Sequence, residues 1–148
     1  MTILLRDATS TDLSAILSLY RDLSPTDPVL AADDAKPDYA RLIGSEIAHL
    51  LVAEVDGHIV ASCLLLIVPN LTRGGRPFAI IENVVTQEDH RRQGLGALLL
   101  HHAGDRAQAA NCYKLMLATG RTDEAVLRFY ERAGFKRGGK TFFEMRWV

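Results

Sequence analysis

The chain has 148 residues, enough to bury the core of an ordinary domain without disulfide or metal staples. Hydrophobic residues make up 48% and charged residues 24%, which excludes a disordered or fibrous protein and fits a soluble globular one. Lys and Arg number 17 against 18 Asp and Glu, a formal charge of −1, so no global field captures nucleic acid or an anionic membrane; a basic patch has to be local, as at His90-Arg91-Arg92.

Ile3 to Arg6 reads as a short first strand. Thr9-Ser10-Thr11-Asp12 marks a helix start, with Thr9 and Asp12 at capping-box spacing, and Leu13, Ile16, Leu17 and Tyr20 then fall on one helical face. Ser24 to Lys36, rich in Pro, Asp and Ala, reads as a loop. Pro37 can open a second helix at its first position, with Tyr39, Leu42, Ile43 and Ile47 on its apolar side. Leu50 to Val55 and Ile59 to Val68 are strand runs joined by the hairpin signal Asp56-Gly57. After a loop from Asn70 to Pro77, Phe78 to Val85 is an apolar strand containing one acid, Glu82. The polar turn Thr86 to Gln93 leads to a helix of about Gly94 to Ala110, with Leu95, Leu98, Leu99 and His102 on one face. Cys112 to Ala118 follows as a strand, so strand, helix and strand form a parallel crossover. Thr122 can cap a last helix on which Val126, Phe129, Tyr130 and Ala133 share a face, Gly134 ends it, and Thr141 to Val148 reads as a closing strand. The expected fold class is α/β, or α+β with a mixed sheet: one domain over residues 1–148, a central sheet with helices on both faces.

The two cysteines, Cys63 and Cys112, sit in apolar runs and read as buried thiols. Met1 to Asp7 has no signal-peptide character, and the longest apolar run, Ile59 to Val68, is too short to span a bilayer. A reducing cytoplasmic compartment is therefore the expectation.

Arg91-Arg92-Gln93-Gly94-Leu95-Gly96 is the most informative stretch, lying between a strand and a long helix. The first turn of a helix presents unpaired N–H groups and the positive end of the dipole. Gly94 and Gly96 remove side chains that would keep a phosphate from those groups, and Arg91 and Arg92 add charge for a diphosphate. The alternative is a surface turn that happens to contain glycines. No Walker A triplet Gly-Lys-Ser/Thr occurs, and the dinucleotide fingerprint fails at Leu99 and at Ala118-Thr119-Gly120, where an acid is required. An NAD or ATP enzyme is therefore disfavoured.

Arg-x-x-Gly-x-Gly after a strand ending in Val84-Val85-Thr86 resembles motif A of the GNAT superfamily of N-acetyltransferases. Phe129-Tyr130-Glu131-Arg132-Ala133-Gly134-Phe135 resembles its motif B. The likeness covers residues 78–148 closely and the first half in element order. It implies the GNAT-type acyl-CoA N-acyltransferase fold, with acetyl-CoA as acetyl donor and no metal. The backbone of Val84, Val85 and Thr86 would pair with the pantetheine arm between two splayed strands. Residues Arg91, Arg92, Gln93, Gly94, Leu95 and Gly96 would hold the diphosphate, and Tyr130 would stand near the sulfur. Relatives often carry an Asn at the start of the last helix; Thr122 and Asp123 stand there in this chain. Ile81-Glu82-Asn83-Val84-Val85 and Asn111-Cys112-Tyr113-Lys114-Leu115 look similar to glucosamine-6-phosphate N-acetyltransferases, which have Glu-Asp where this chain has Glu82-Asn83. Glu82 and Asn83 are accordingly the candidate acceptor-binding residues.

An alkyl ammonium, with a pKa of about 10.4, has to lose a proton before it can attack a thioester. Glu82, on the strand that should flank the thioester, is the candidate base; a solvent-facing or ion-paired Glu is the alternative. A free N–H on a bulged strand, at Val84 or Val85, can stabilise the oxyanion. Tyr130 is the candidate acid for the departing thiolate, and a core aromatic is the alternative. His90, His101 and His102 show no metal-ligand pattern, and neither cysteine has a His partner at motif level, so direct attack in a ternary complex is expected. The acceptor would be a small primary amine, with an amino sugar, a protein amine or a non-catalytic CoA-binding sensor as further readings. No nucleic acid or membrane partner is expected, and a homodimer is, through the aromatic run Phe142 to Trp147.

Overall fold

The computed structural model describes residues 1–147. Strand β1 (Ile3–Asp7) leads through a short 3-10 turn into α1 (Leu13–Leu23) and then α2 (Ala32–Ile43). Strands β2 (Ala48–Val55), β3 (His58–Val68) and β4 (Phe78–Thr86) follow, then α3 (Leu95–Ala109), β5 (Leu115–Met116) and α4 (Glu124–Arg132). The sheet has five strands in the order β1-β2-β3-β4-β5. The first four are antiparallel, and β5 joins β4 in parallel. The expected mixed α/β sheet is present.

Period-2 alternation sends the strands' side chains to two cores. Leu50 and Val52 pack with Leu13, Ile16, Ala35 and Tyr39 of α1 and α2. Leu51, Ala53, Ala61, Cys63 and Leu65 pack with Leu99, Leu100, Ala103 and Ala107 of α3. Neighbouring residues of one strand thus belong to opposite helix layers, which is why β2 and β3 read as unbroken apolar runs. Leu99 is 1% exposed, and burying a side chain of that size stabilises the fold by about 1.5–3 kcal/mol.

The start of α1 is pinned as the sequence suggests. The Asp12 carboxylate accepts a hydrogen bond from the Thr9 N–H at 2.7 Å and another from Arg6 at 2.7 Å, and Arg6 also donates to Glu54 at 2.9 Å. The Arg6 guanidinium holds the Asp12 carboxyl below its ordinary pKa. Asp56 and Gly57 both take positive φ, 49° and 86°, as a two-residue hairpin of this twist requires.

Several expected boundaries move. Helix α2 begins at Ala32, inside the expected loop, and Pro37 lies within it rather than at its first position. Asp33 and Asp34 favour its first turn electrostatically, and buried Ala35 and Tyr39 hold it on the sheet despite the hydrogen bond Pro37 cannot make. Ile47 falls after the helix and is 43% exposed. Leu98 is 42% exposed, and the buried stripe of α3 runs through Leu95, Leu99, Leu100, Ala103 and Ala107 instead. The N-cap of α4 is Asp123, not Thr122.

The expected strand Cys112 to Ala118 is cut to two residues. Arg76 takes the Asn111 and Cys112 carbonyls at 3.1 and 3.0 Å. Pairing with β4 then ends at Ile80 and Met116, beyond which the two strands part. The closing strand Thr141 to Val148 is not formed over 141–147, where the chain carries no regular element and every residue is exposed; Val148 lies outside the described residues.

Candidate active site

The site is built around a break in β4. Ser62 faces Val85 and Leu64 faces Glu82, so Asn83 and Val84 together stand opposite Cys63. That is a β-bulge, and Asn83 accommodates it at φ 55°. Asn tolerates the left-handed region better than other side-chain-bearing residues, so the residue type at 83 suits the geometry. The bulge falls next to Val84, where a free strand N–H was expected.

Two cavities meet at the bulge. The first, of 700 Å³, lies between β4, the start of α3 and α4. Of the residues assigned to a cofactor by sequence, Val84, Val85, Thr86, Arg91, Arg92, Gly94, Leu95, Gly96 and Tyr130 all line it. Gln93 does not; its side chain turns back to the Asp89 carbonyl at 3.4 Å. Thr122 is also absent from the lining, and Arg121 stands there in its place. Phe129 and His90 complete the wall, and sequence reasoning did not assign either to the site.

The second cavity, of 380 Å³, opens on the other side of the bulge. Glu82, Asn83 and Ser24 line it, with Thr119, Gly120 and Arg146 opposite. Val84 and Tyr130 border both cavities. A group crossing from one to the other passes those two residues. Glu82 is exposed to this cavity and forms no ion pair among the described residues.

The seat before α3 has the character of an anion cradle. Arg91 is extended, Arg92 is left-handed at φ 62° and Gly94 is left-handed at φ 79°. Alternation of hand turns successive N–H groups toward one side, the geometry of an anion nest, and the open start of the fifteen-residue α3 follows directly. Arg91 is itself anchored, its Nε donating to the Thr86 carbonyl at 3.0 Å. Gly94 has open space where a Cβ would lie, so its requirement is conformational. Gly96 has another reason to be glycine: a Cβ there would come 3.1 Å from the Phe129 ring. It lets α4, and with it Tyr130, approach the first turn of α3.

Tyr130 is half-buried, edge-on to Phe129 with ring centroids 5.2 Å apart and to Phe135 at 6.3 Å. Burial raises its phenol pKa, and Arg121 pulls in the opposite direction. The phenol is therefore protonated at neutral pH and able to donate. Tyr20, on α1, is raised by burial as well, partly offset by Asn83. Cys63, behind the bulge, is fully buried, and burial pushes its thiol up to about 12, so it is no thiolate nucleophile at neutral pH. Cys112 is also a free thiol. His90, His101 and His102 belong to no group of three or more metal-ligating side chains among the described residues.

Comparison with known proteins gives one answer for the family. Residues 16–135 match the "Acetyltransferase (GNAT) family". The chain is 33% identical over 132 residues to a glucosamine 6-phosphate N-acetyltransferase of Trypanosoma brucei brucei, covering 89% of this chain and 88% of that protein. The solved structure of a "putative acetyltransferase" from Agrobacterium tumefaciens str. C58 is 46% identical, with a TM-score of 0.94 over 97% of this chain and 99% of that one. The aminoglycoside-type enzyme AAC(6')-Iy, solved with a bisubstrate analog joining CoA to acetylneamine, has a TM-score of 0.81 over 100% of both chains; at 17% identity it shares the fold alone.

Proposed function

The chain belongs to the GNAT acetyltransferase family, and we propose that it transfers the acetyl group of acetyl-CoA to a primary amine of a small, amino-sugar-like molecule, by direct attack in a ternary complex. The observation that carries this reading is the meeting of the two cavities at Val84 and Tyr130. A donor held on one side and an amine held on the other would react across the bulge of β4.

In this reading the cradle from Arg91 to Gly96 holds the diphosphate, with Arg121 in the place expected of Thr122. The exposed backbone of Val84, Val85 and Thr86 aligns the pantetheine arm as an added strand would be aligned. Acetyl-CoA supplies an activated thioester; the remaining work falls to this chain's residues. Glu82 takes the proton of the incoming ammonium, directly or through water. The N–H freed at the Val84 bulge faces the charge that develops on the carbonyl oxygen. Tyr130 gives its phenolic proton to the departing sulfur, and Asn83 orients the acceptor. With Cys63 held as a neutral thiol by burial, a covalent acetyl-cysteine is not part of the scheme, and neither is a metal.

The amino-sugar preference rests on the Trypanosoma relative and on the string Ile81 to Val85. The two free thiols fit a cytoplasmic location. None of the described helices is long and apolar enough to cross a membrane; the proposal includes no membrane or nucleic-acid partner.

An amine panel tests the reading. Glucosamine 6-phosphate, unphosphorylated amino sugars, aminoglycosides, free lysine and an N-terminal peptide are each mixed with acetyl-CoA and enzyme, and free CoA and acetylated product are measured. We expect amine-dependent CoA release with a small amino sugar at the top of the ranking. A peptide at the top would move the acceptor to protein amines. Binding of acetyl-CoA with no release to any amine would favour a CoA sensor instead.

A further inference from the structure

The sheet ends abruptly. Strand β5 is two residues long, pairs with β4 on one side, and has no strand on the other among the described residues. Such an edge presents unpaired N–H and C=O groups ready to accept another strand. Beside it lies a groove of 680 Å³ between β5, α3 and α4, floored by Leu115, Leu117, Tyr130 and Phe135.

The same chain carries a strand-like segment that pairs with nothing. Beyond Gly138, whose φ of 82° turns the chain away from α4, every residue from Thr141 to Trp147 is exposed. Phe142 is 68% exposed, Phe143 87%, Met145 76% and Trp147 83%. Four large apolar side chains within six residues have no business in water on a stable monomer; a contiguous patch of this kind marks an interface. We propose that Thr141–Trp147 is a strand donated to a second copy of the chain, where it adds to the free edge of β5 and covers the groove beside Tyr130, each copy giving and receiving one segment.

Size and position support a second copy as the occupant. An aromatic side chain buries ~150–250 Å², so the three rings on each of two exchanged segments remove roughly 900–1,500 Å² before the receiving surfaces are counted. That reaches the ~1,200–2,000 Å² of stable interfaces. Reciprocal exchange closes with two-fold symmetry and leaves no free edge to propagate. Arg146 of the segment lines the acceptor cavity of its own chain, and Tyr130 lines both that cavity and the receiving groove. The exchange therefore puts the partner against the catalytic cleft. This inference does not depend on which amine is acetylated.

Trp147 is the single tryptophan of the chain, so its fluorescence reports the segment directly. Mass by light scattering and Trp147 emission are measured on the full chain over a micromolar dilution series. We expect a dimer mass with the blue-shifted emission of a buried indole, turning to water-exposed emission as the dimer dissociates. The double variant Phe142→Glu/Phe143→Glu and a chain ending at Lys140 should both halve the mass. Their melting, followed by far-UV circular dichroism, should stay cooperative, because those side chains touch little of their own chain. A monomeric parent with exposed Trp147 overturns the proposal. So does a monomer with buried Trp147, which would mean that the segment folds back on its own sheet, and so does a dimer that survives both changes.

Discussion

Tyr130→Phe is expected to lower kcat about 10²-fold while leaving acetyl-CoA affinity nearly unchanged. The substitution removes one hydroxyl and keeps the ring, so the edge-on contacts to Phe129 and Phe135 remain. General-acid assistance is typically ~10²–10⁴-fold. A thiol of pKa about 8.5 already leaves tolerably, which points to the lower end. Burial raises the Tyr130 pKa and Arg121 lowers it; the net direction keeps the proton in place through neutral pH. The defect follows attack, so raising the pH should not relieve it. A kcat like the parent's on an accepted amine would reduce Tyr130 to a core aromatic that happens to border the cleft.

Glu82→Gln should cost a comparable factor, with a different pH signature. The side chain is exposed to the acceptor cavity and unpaired among the described residues, so the fold should not register the change. Without a base, the variant depends on the fraction of amine already neutral in solution. That fraction rises as pH approaches an amine pKa of about 10.4 for an alkyl ammonium. The ratio of parent to variant rate should therefore narrow steadily as pH rises. A constant ratio across the range would mean that Glu82 binds the acceptor without taking its proton. Parent-like rates at every pH would remove it from the chemistry.

The legible parts of the fold were those set by short-range pattern. The Asp56-Gly57 hairpin, the α1 start at Thr9 and Asp12, and the turn before α3 are each fixed by residues within a few positions, and each was read correctly. The parts set by contacts between distant residues were not. Helix α2 extends back through Asp33 and Asp34 because Ala35 and Tyr39 find a buried surface on β2, which no local propensity announces. Strand β5 stops at Met116 because β4 and β5 separate around the bulge, although Cys112 to Ala118 is apolar enough to continue. Thr141 to Trp147 has a strand composition and no strand partner in its own chain, so composition alone misplaced it.

The site follows the same division. Gly94 and the arginines were readable because a phosphate cradle has a compact signature. The reason given for Gly96 was incomplete, since the Phe129 ring that crowds it comes from another helix, 33 positions on in sequence. Arg121 was missed for Thr122 because one residue of offset in the loop before α4 decides which side chain faces the cleft. Asn83 was singled out for the acceptor, but its left-handed conformation at the bulge was not readable from the string Glu82-Asn83-Val84.

The central claim is that the cleft from Val84 to Gly96 seats acetyl-CoA, and the melting temperature tests it most directly. At ~100 times its dissociation constant, a ligand that binds only the folded state adds about 2.7 kcal/mol, which for a chain of this size raises Tm by roughly 5–11 °C. Acetyl-CoA and CoA should both produce that shift, and NAD and ATP should not. Gly94→Val places a branched side chain where φ is 79°, which should lower Tm through ~1–2 kcal/mol of backbone strain and abolish the response to CoA. No shift with saturating acetyl-CoA in the parent, or an undiminished shift in Gly94→Val, would contradict the account.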